Sequence, residues 1–138
     1  MNRLLVVDDA LLMRKMISDV AIGEGWEVVG EAKNGLEAVA LFERFRPDLV
    51  TMDVVMPEMT GLEALRQIRA FDANAKIVMI TALDQKQTMF EAIRDGAIDF
   101  IVKPFDRDRI KNFLHKMKDR GNASHVDPET DEASVGDI

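Results

Sequence analysis

Along residues 3–119, short apolar runs alternate with longer stretches whose apolar positions recur at helical spacing. The runs RLLVV (3–7), EVVGEA (27–32), DLVTM (48–52), KIVMI (76–80) and DFIV (99–102) predict five strands. Several lack polar alternation, as strands covered on both faces do. The segments at 10–24, 35–45, 62–70, 85–95 and 107–119 predict five helices. In the last of these Ile110, Phe113, Leu114 and Met117 fall on one stripe, which leaves the Lys and Arg residues to water. Asn34 with Glu37, Thr60 with Glu63, and Asp84 with Gln87 have the spacing at which an N-cap and an N3 side chain satisfy orphan amides.

Alternating βα units of this length imply an α/β fold, a doubly wound parallel sheet with right-handed crossovers and helices on both faces. The functional crevice of such a sheet lies beyond the carboxyl ends of its strands. Asp8 and Asp9 follow the first strand, Asp53 the third, Thr81 the fourth and Lys103 the fifth, whereas the second ends in Ala32, Lys33 and Asn34 without a comparable acid. Each has an ordinary explanation alone. Asp9 could cap the next helix with Asp8 solvated, Asp53 could be a loop acid, Thr81 could sit near a cap, and Lys103 could simply be exposed.

Together they converge on one rim if the second strand is at the sheet edge. Carboxylates gathered within about 4–6 Å repel one another by several kcal/mol at an effective dielectric near 20, and a bound cation removes that penalty. The donors are hard oxygens with no Cys or His cluster, which points to Mg²⁺ or Mn²⁺ rather than zinc. Such an ion with a Thr hydroxyl and a Lys ammonium describes a phosphoryl-binding site. Asp53, alone on the central strand, is the candidate nucleophile that would form an aspartyl phosphate.

Composition narrows the setting. At 138 residues the chain is long enough for one domain with a proper core, and having no Cys it owes nothing to disulfides, which suits a reducing cytoplasm. No signal peptide or membrane span is apparent. The net charge of -7 argues against nonspecific nucleic-acid or anionic-membrane binding, and five of those charges lie in residues 121–138, which hold no Lys or Arg. That tail has few apolar residues, so residues 1–120 are expected to form the domain and 121–138 a disordered, solubilising extension. His115 on the last helix and His125 in the tail are read as surface residues.

The segments VVDDALLMR, DLVTMDVVMPEMTG, IVMITA and GAIDFIVKPF, in this order and spacing, resemble the receiver domain of two-component response regulators, in particular the stand-alone chemotaxis regulators of that family. The resemblance covers residues 3 to about 119. It implies a flavodoxin-like (βα)₅ fold with strand order 2-1-3-4-5. It also implies that Asp53 accepts a phosphoryl group from a histidine kinase and, with Asp8, Asp9 and the Val55 carbonyl, holds Mg²⁺. By the same resemblance Thr81 and Lys103 contact the phosphoryl oxygens, and the Lys103–Pro104 peptide is cis. Thr81 and Phe100 are the implied switch pair. Phe100 stands where the best-known chemotaxis regulators carry Tyr, which removes any output contact that needs a phenol. The implied output surface is the face of the fourth helix, fifth strand and fifth helix. Val55 and Leu83 match the positions that flank the hydrolytic water, and neither side chain can orient water, so slow loss of the phosphoryl group is expected.

Two other readings are weighed against this one. The chain could be the receiver part of a larger DNA-binding or enzymatic regulator. It could also be a Mg²⁺-dependent phosphohydrolase with an aspartyl intermediate, although the expected Asp-x-Asp motif is missing because Val54 and Val55 follow Asp53. Glycine-rich nucleotide-binding motifs are absent from the sequence.

Overall fold

The apolar runs do assemble into one parallel sheet. The structure is a computed structural model that describes residues 2–82 and 84–122, the side chains of 119–122 excepted. Its elements run β1 (Arg3–Val7), α1 (Leu11–Gly23), β2 (Glu27–Ala32), α2 (Gly35–Phe45), β3 (Leu49–Asp53), α3 (Gly61–Phe71), β4 (Ile77–Ala82), α4 (Lys86–Arg94), β5 (Asp99–Lys103) and α5 (Arg107–Asn122). The strands are ordered β2-β1-β3-β4-β5, the flavodoxin-like arrangement expected from the resemblance. All neighbouring pairs are parallel.

Alternation along each strand divides the core into two layers. Leu5, Val7, Val50, Met52, Ile77 and Met79 meet Phe42 of α2, Leu65 and Ile68 of α3, and Ala92 of α4. Leu4, Val6, Leu49, Val78, Ile80 and Ile101 point the other way, onto Ile17 and Val20 of α1 and Ile110, Phe113 and Leu114 of α5. Full burial of a Leu or Ile side chain is worth roughly 1.5–3 kcal/mol, so both layers are needed to hold β1, β3 and β4 at the centre. Trp26 closes the second layer at the N-terminal end of the sheet, 5% exposed, with Nε1 donating to the Leu114 carbonyl at 3.1 Å.

The strands carrying candidate chemistry extend further than their apolar runs. β3 includes Asp53, β4 reaches Thr81 and Ala82, and β5 includes Lys103. Two of the three expected caps are present. Asn34 accepts from the Glu37 amide, and Thr60 and Glu63 form a reciprocal capping box. The third is corrected: α4 begins one residue later, Gln85 takes the N-cap place, and its Oε1 meets Thr88 Oγ1 at 3.5 Å. The capping role considered for Asp9 is also corrected, because Ala10 is the N-cap of α1 and no side chain caps it. The Lys103–Pro104 peptide is cis. Among the described residues no helix is long and apolar enough to cross a membrane.

Candidate functional site

Strand ends bring the candidates together at the carboxyl edge of the sheet. The backbone of Asp8 extends the β1–β2 ladder by one step, its amide donating to the Ala32 carbonyl at 3.0 Å. Its Oδ1 accepts from the Ala10 amide at 2.8 Å, the turn an Asp makes with its own backbone two residues on. Asp8 is thereby fully buried rather than solvated, whereas Asp9 turns out to solvent. Asp53 closes β3, paired with Ile80 and 6% exposed. One carboxylate oxygen from each of Asp8, Asp9 and Asp53 lies within 4.8 Å of the others. Lys103 Nζ stands 3.4 Å from Asp8 Oδ2 and 3.4 Å from Asp53 Oδ1.

The loop after β3 is shaped to leave that acid in place. The Gly61 amide donates to the Val54 carbonyl at 2.8 Å, folding the start of α3 tightly over the strand end. A Cβ at Gly61 would overlap the Asp53 carbonyl oxygen, so only glycine fits there. Thr60 and Glu63 then cap α3 directly behind the turn.

Electrostatically the cluster is unbalanced. Burial is the main cause that pushes the Asp53 carboxyl from 3.8 up to about 6. Asp8 adds to the rise, the charge and hydrogen bond of Lys103 oppose it, and Asp9 adds a smaller push. One ammonium does not neutralise three carboxylates. With hard oxygen donors only, the missing charge is of the kind a small divalent cation supplies, and the residues fit such an ion.

The remaining candidates are placed as follows. Thr81 is 1% exposed near the end of β4, and its hydroxyl donates to the Ala82 carbonyl at 3.3 Å rather than to the acids. Val55 is 60% exposed on the loop after Asp53. Phe100 is half-buried against the α2–α4 layer and borders a shallow cleft of about 390 Å³ with Val102, Pro104, Phe105 and Arg109. Leu83 and His125 lie outside the described residues. His115 is exposed on α5, its Nδ1 3.2 Å from Glu24 Oε1.

One contributor escaped the sequence reading. Arg14 Nη1 donates to the Asp8 carbonyl at 2.7 Å and its Nε to Glu31 Oε1 at 3.2 Å. No motif announces it; the only signal is a basic residue one turn into the helix that follows the acids. Thr51, two residues before Asp53 on β3, is fully buried and its hydroxyl meets no partner among the described residues.

Known proteins resemble this chain in sequence and fold. A family model for the response regulator receiver domain matches residues 4–115. The chain is 50% identical over 115 residues to the chemotaxis protein CheY of Bacillus subtilis (strain 168), covering 83% of this chain and 96% of that protein. It is 49% identical over 116 residues to the CheY of Thermotoga maritima, covering 84% and 97%. Among solved structures, the CheX–CheY–BeF₃–Mg²⁺ complex from Borrelia burgdorferi superposes with a TM-score of 0.78 at 34% identity, over 83% of this chain and 87% of that one.

Proposed function

The chain belongs to the response regulator receiver family and is a CheY-like response regulator, and from that premise we propose that Asp53 accepts a phosphoryl group from a histidine kinase. The observation that carries this reading is the convergence of Asp8, Asp9 and Asp53 within 4.8 Å, with Lys103 3.4 Å from two of them. The relative solved with BeF₃ and Mg²⁺ shares the fold that makes this convergence.

Asp53, held near 6, is ionised at neutral pH, yet its burial leaves the charge poorly solvated and ready to attack phosphorus. Asp8, Asp9, Asp53 and the Val55 carbonyl are the groups that would hold Mg²⁺, or Mn²⁺ in its place. The bound ion would neutralise charge on the transferring phosphoryl oxygens. Lys103 is equidistant from Asp8 and Asp53, so its ammonium can follow the charge onto the new group. Catalysis is confined to the chain's own phosphorylation and slow dephosphorylation.

The added group brings roughly two negative charges to the rim. The Thr81 hydroxyl then exchanges its 3.3 Å bond to the Ala82 carbonyl for a phosphoryl oxygen, and the space it leaves lets Phe100 move inward. The α4–β5–α5 face, where Phe90 is 70% exposed and Ile93 and Ile98 are also exposed, is the proposed output surface. Without a phenol, Phe100 contributes apolar contact there. The setting is the cytoplasm, in chemotaxis, with no direct nucleic-acid or membrane contact. Residues 1–120 are the receiver and 121–138 a solubilising tail, of which 123–138 lie outside the described residues. Identity of about 50% to CheY proteins, against 40% to the regulatory protein AtoC of Escherichia coli, favours the CheY-like reading over a receiver drawn from a DNA-binding regulator. The phosphohydrolase reading is not favoured either, given the receiver-domain match.

Incubation with acetyl phosphate and Mg²⁺ followed by intact-mass measurement tests the reading. A gain of one phosphoryl unit that requires metal and vanishes in Asp53→Asn is expected; a gain that persists in the variant would refute it. The apolar pair Val55 and Leu83 is expected to slow phosphate loss. Val55→Asn with Leu83→Glu should accelerate it roughly tenfold, about 1.4 kcal/mol of barrier, measured as decay of the phosphorylated mass after the donor is removed.

A further inference from the structure

Asp9 is the least restrained member of the acidic cluster. It is exposed, and no hydrogen bond or ion pair among the described residues holds its carboxylate. Its backbone is set from two sides: by the turn that Asp8 Oδ1 closes on the Ala10 amide at 2.8 Å, and by the peptide that joins it to Asp8. That peptide is planar, so whatever grips the Asp8 carbonyl also orients the Asp9 amide and Cα.

The grip comes from Arg14. Its backbone amide donates to the Ala10 carbonyl at 3.0 Å as the helix begins, and its side chain folds back so that Nη1 donates to the Asp8 carbonyl at 2.7 Å. The Arg14 side chain is only 14% exposed. Its Nε is held at 3.2 Å by Glu31 Oε1 on the edge strand β2, and the second oxygen of Glu31 lies 3.4 Å from Ser18 Oγ on α1. A planar fork that can serve a carbonyl with one nitrogen and a carboxylate with another is a property of Arg that Lys lacks.

Resting on the reading of the acidic cluster as a divalent-cation site, we propose that Arg14, braced by Glu31, is a positioning residue for cation binding. It fixes the Asp8–Asp9 peptide and thereby pre-aims Asp9 at the ion. Arg14 touches neither the ion nor the phosphoryl group. Groups that orient ligands in this way typically change metal affinity by about 10–100-fold when removed.

Isothermal titration of the full chain with Mg²⁺ alone, without phosphodonor, separates the possibilities. Arg14→Ala should weaken Mg²⁺ binding about tenfold and Glu31→Ala by less, with Arg14→Lys between wild type and Arg14→Ala. The double variant should bind no more weakly than Arg14→Ala, since both act through one contact. Hydrogen exchange at the Asp9 and Ala10 amides of the metal-free protein should quicken in Arg14→Ala, a readout independent of the ion. Thermal melts identify folded variants, and Arg14→Lys with Glu31→Gln carries the test if Arg14→Ala does not fold. Folded variants that bind Mg²⁺ as wild type does, with unchanged exchange at Asp9, overturn the proposal while leaving the site reading intact. Wild-type protein that fails to bind Mg²⁺, or Asp9→Asn that binds it unchanged, overturns the site reading itself.

Discussion

At the N-terminal end of the sheet, Arg3 donates through its side chain to the Phe45 and Arg46 carbonyls at 2.6 and 3.2 Å, and its amide donates to Asp48 Oδ2 at 2.9 Å. The Arg46 guanidinium lies 4.2 Å from the Phe71 ring centroid and 3.8 Å from Asp72. Arg46, Asp48 and Asp72 border a cavity of about 560 Å³ shared with Trp26, Lys76 and Met117, and opposite charges answer one another around it. At the carboxyl end the same residue types are left in imbalance, with Asp8, Asp9 and Asp53 against Lys103 and a carboxyl pushed up to about 6. The difference is instructive. A cluster that neutralises itself is complete within the fold, whereas one that stays charged in a buried setting is completed from outside.

Substitutions can break this contrast to different degrees. Gly61→Ala should act most strongly, since the new methyl collides with the Asp53 carbonyl, and a loss of roughly 3 kcal/mol is expected in urea unfolding together with weakened Mg²⁺ binding. Asp53→Asn should do the reverse for the metal-free protein. The carboxyl sits near 6 in the folded chain against 3.8 ordinarily, so the folded state binds the extra proton between those values. Stability from this group is therefore fully present below about 3.8 and lost as pH rises through about 6. At pH 7 the Asn variant should be more stable by about 2 kcal/mol, with the gain fading towards pH 4 and offset when Mg²⁺ stabilises wild type. Arg46→Ala, at the balanced end, should cost about 0.5–1 kcal/mol through the lost ring and carboxylate contacts, with no dependence on Mg²⁺. A Mg²⁺-dependent effect at Arg46 would erase the distinction between the two ends.

Much of this was legible in the sequence, for a physical reason. Doubly covered strands are written as unbroken apolar runs, so β1 matches its expected bounds; the edge strand β2 also matches, though its Glu27 and Glu31 are exposed, and the Thr60–Glu63 box is visible as spacing. Reading by hydrophobicity, however, ends a strand at its first polar side chain. Ladder hydrogen bonds are made by the backbone regardless, which is why Asp53 and Lys103 prove to be the last residues of β3 and β5 rather than the first of their loops. Nothing in adjacent aspartates says which one is buried; the amide contacts of Asp8 with Ala32 and Ala10 decide that. The cap expected at Asp84 failed because a one-residue shift suffices to hand the position to Gln85. Arg14 was invisible because its contact links the end of a strand to a residue six positions later, through a turn whose shape no periodicity encodes.

The sole tryptophan, in a chain with no tyrosine, is Trp26, held beneath α5 at the pole remote from the acids. Intrinsic fluorescence thus watches whether α5 is seated and is not quenched directly by an ion at the far rim. A change in emission on Mg²⁺ addition would therefore register a disturbance carried through the length of the sheet to its opposite end.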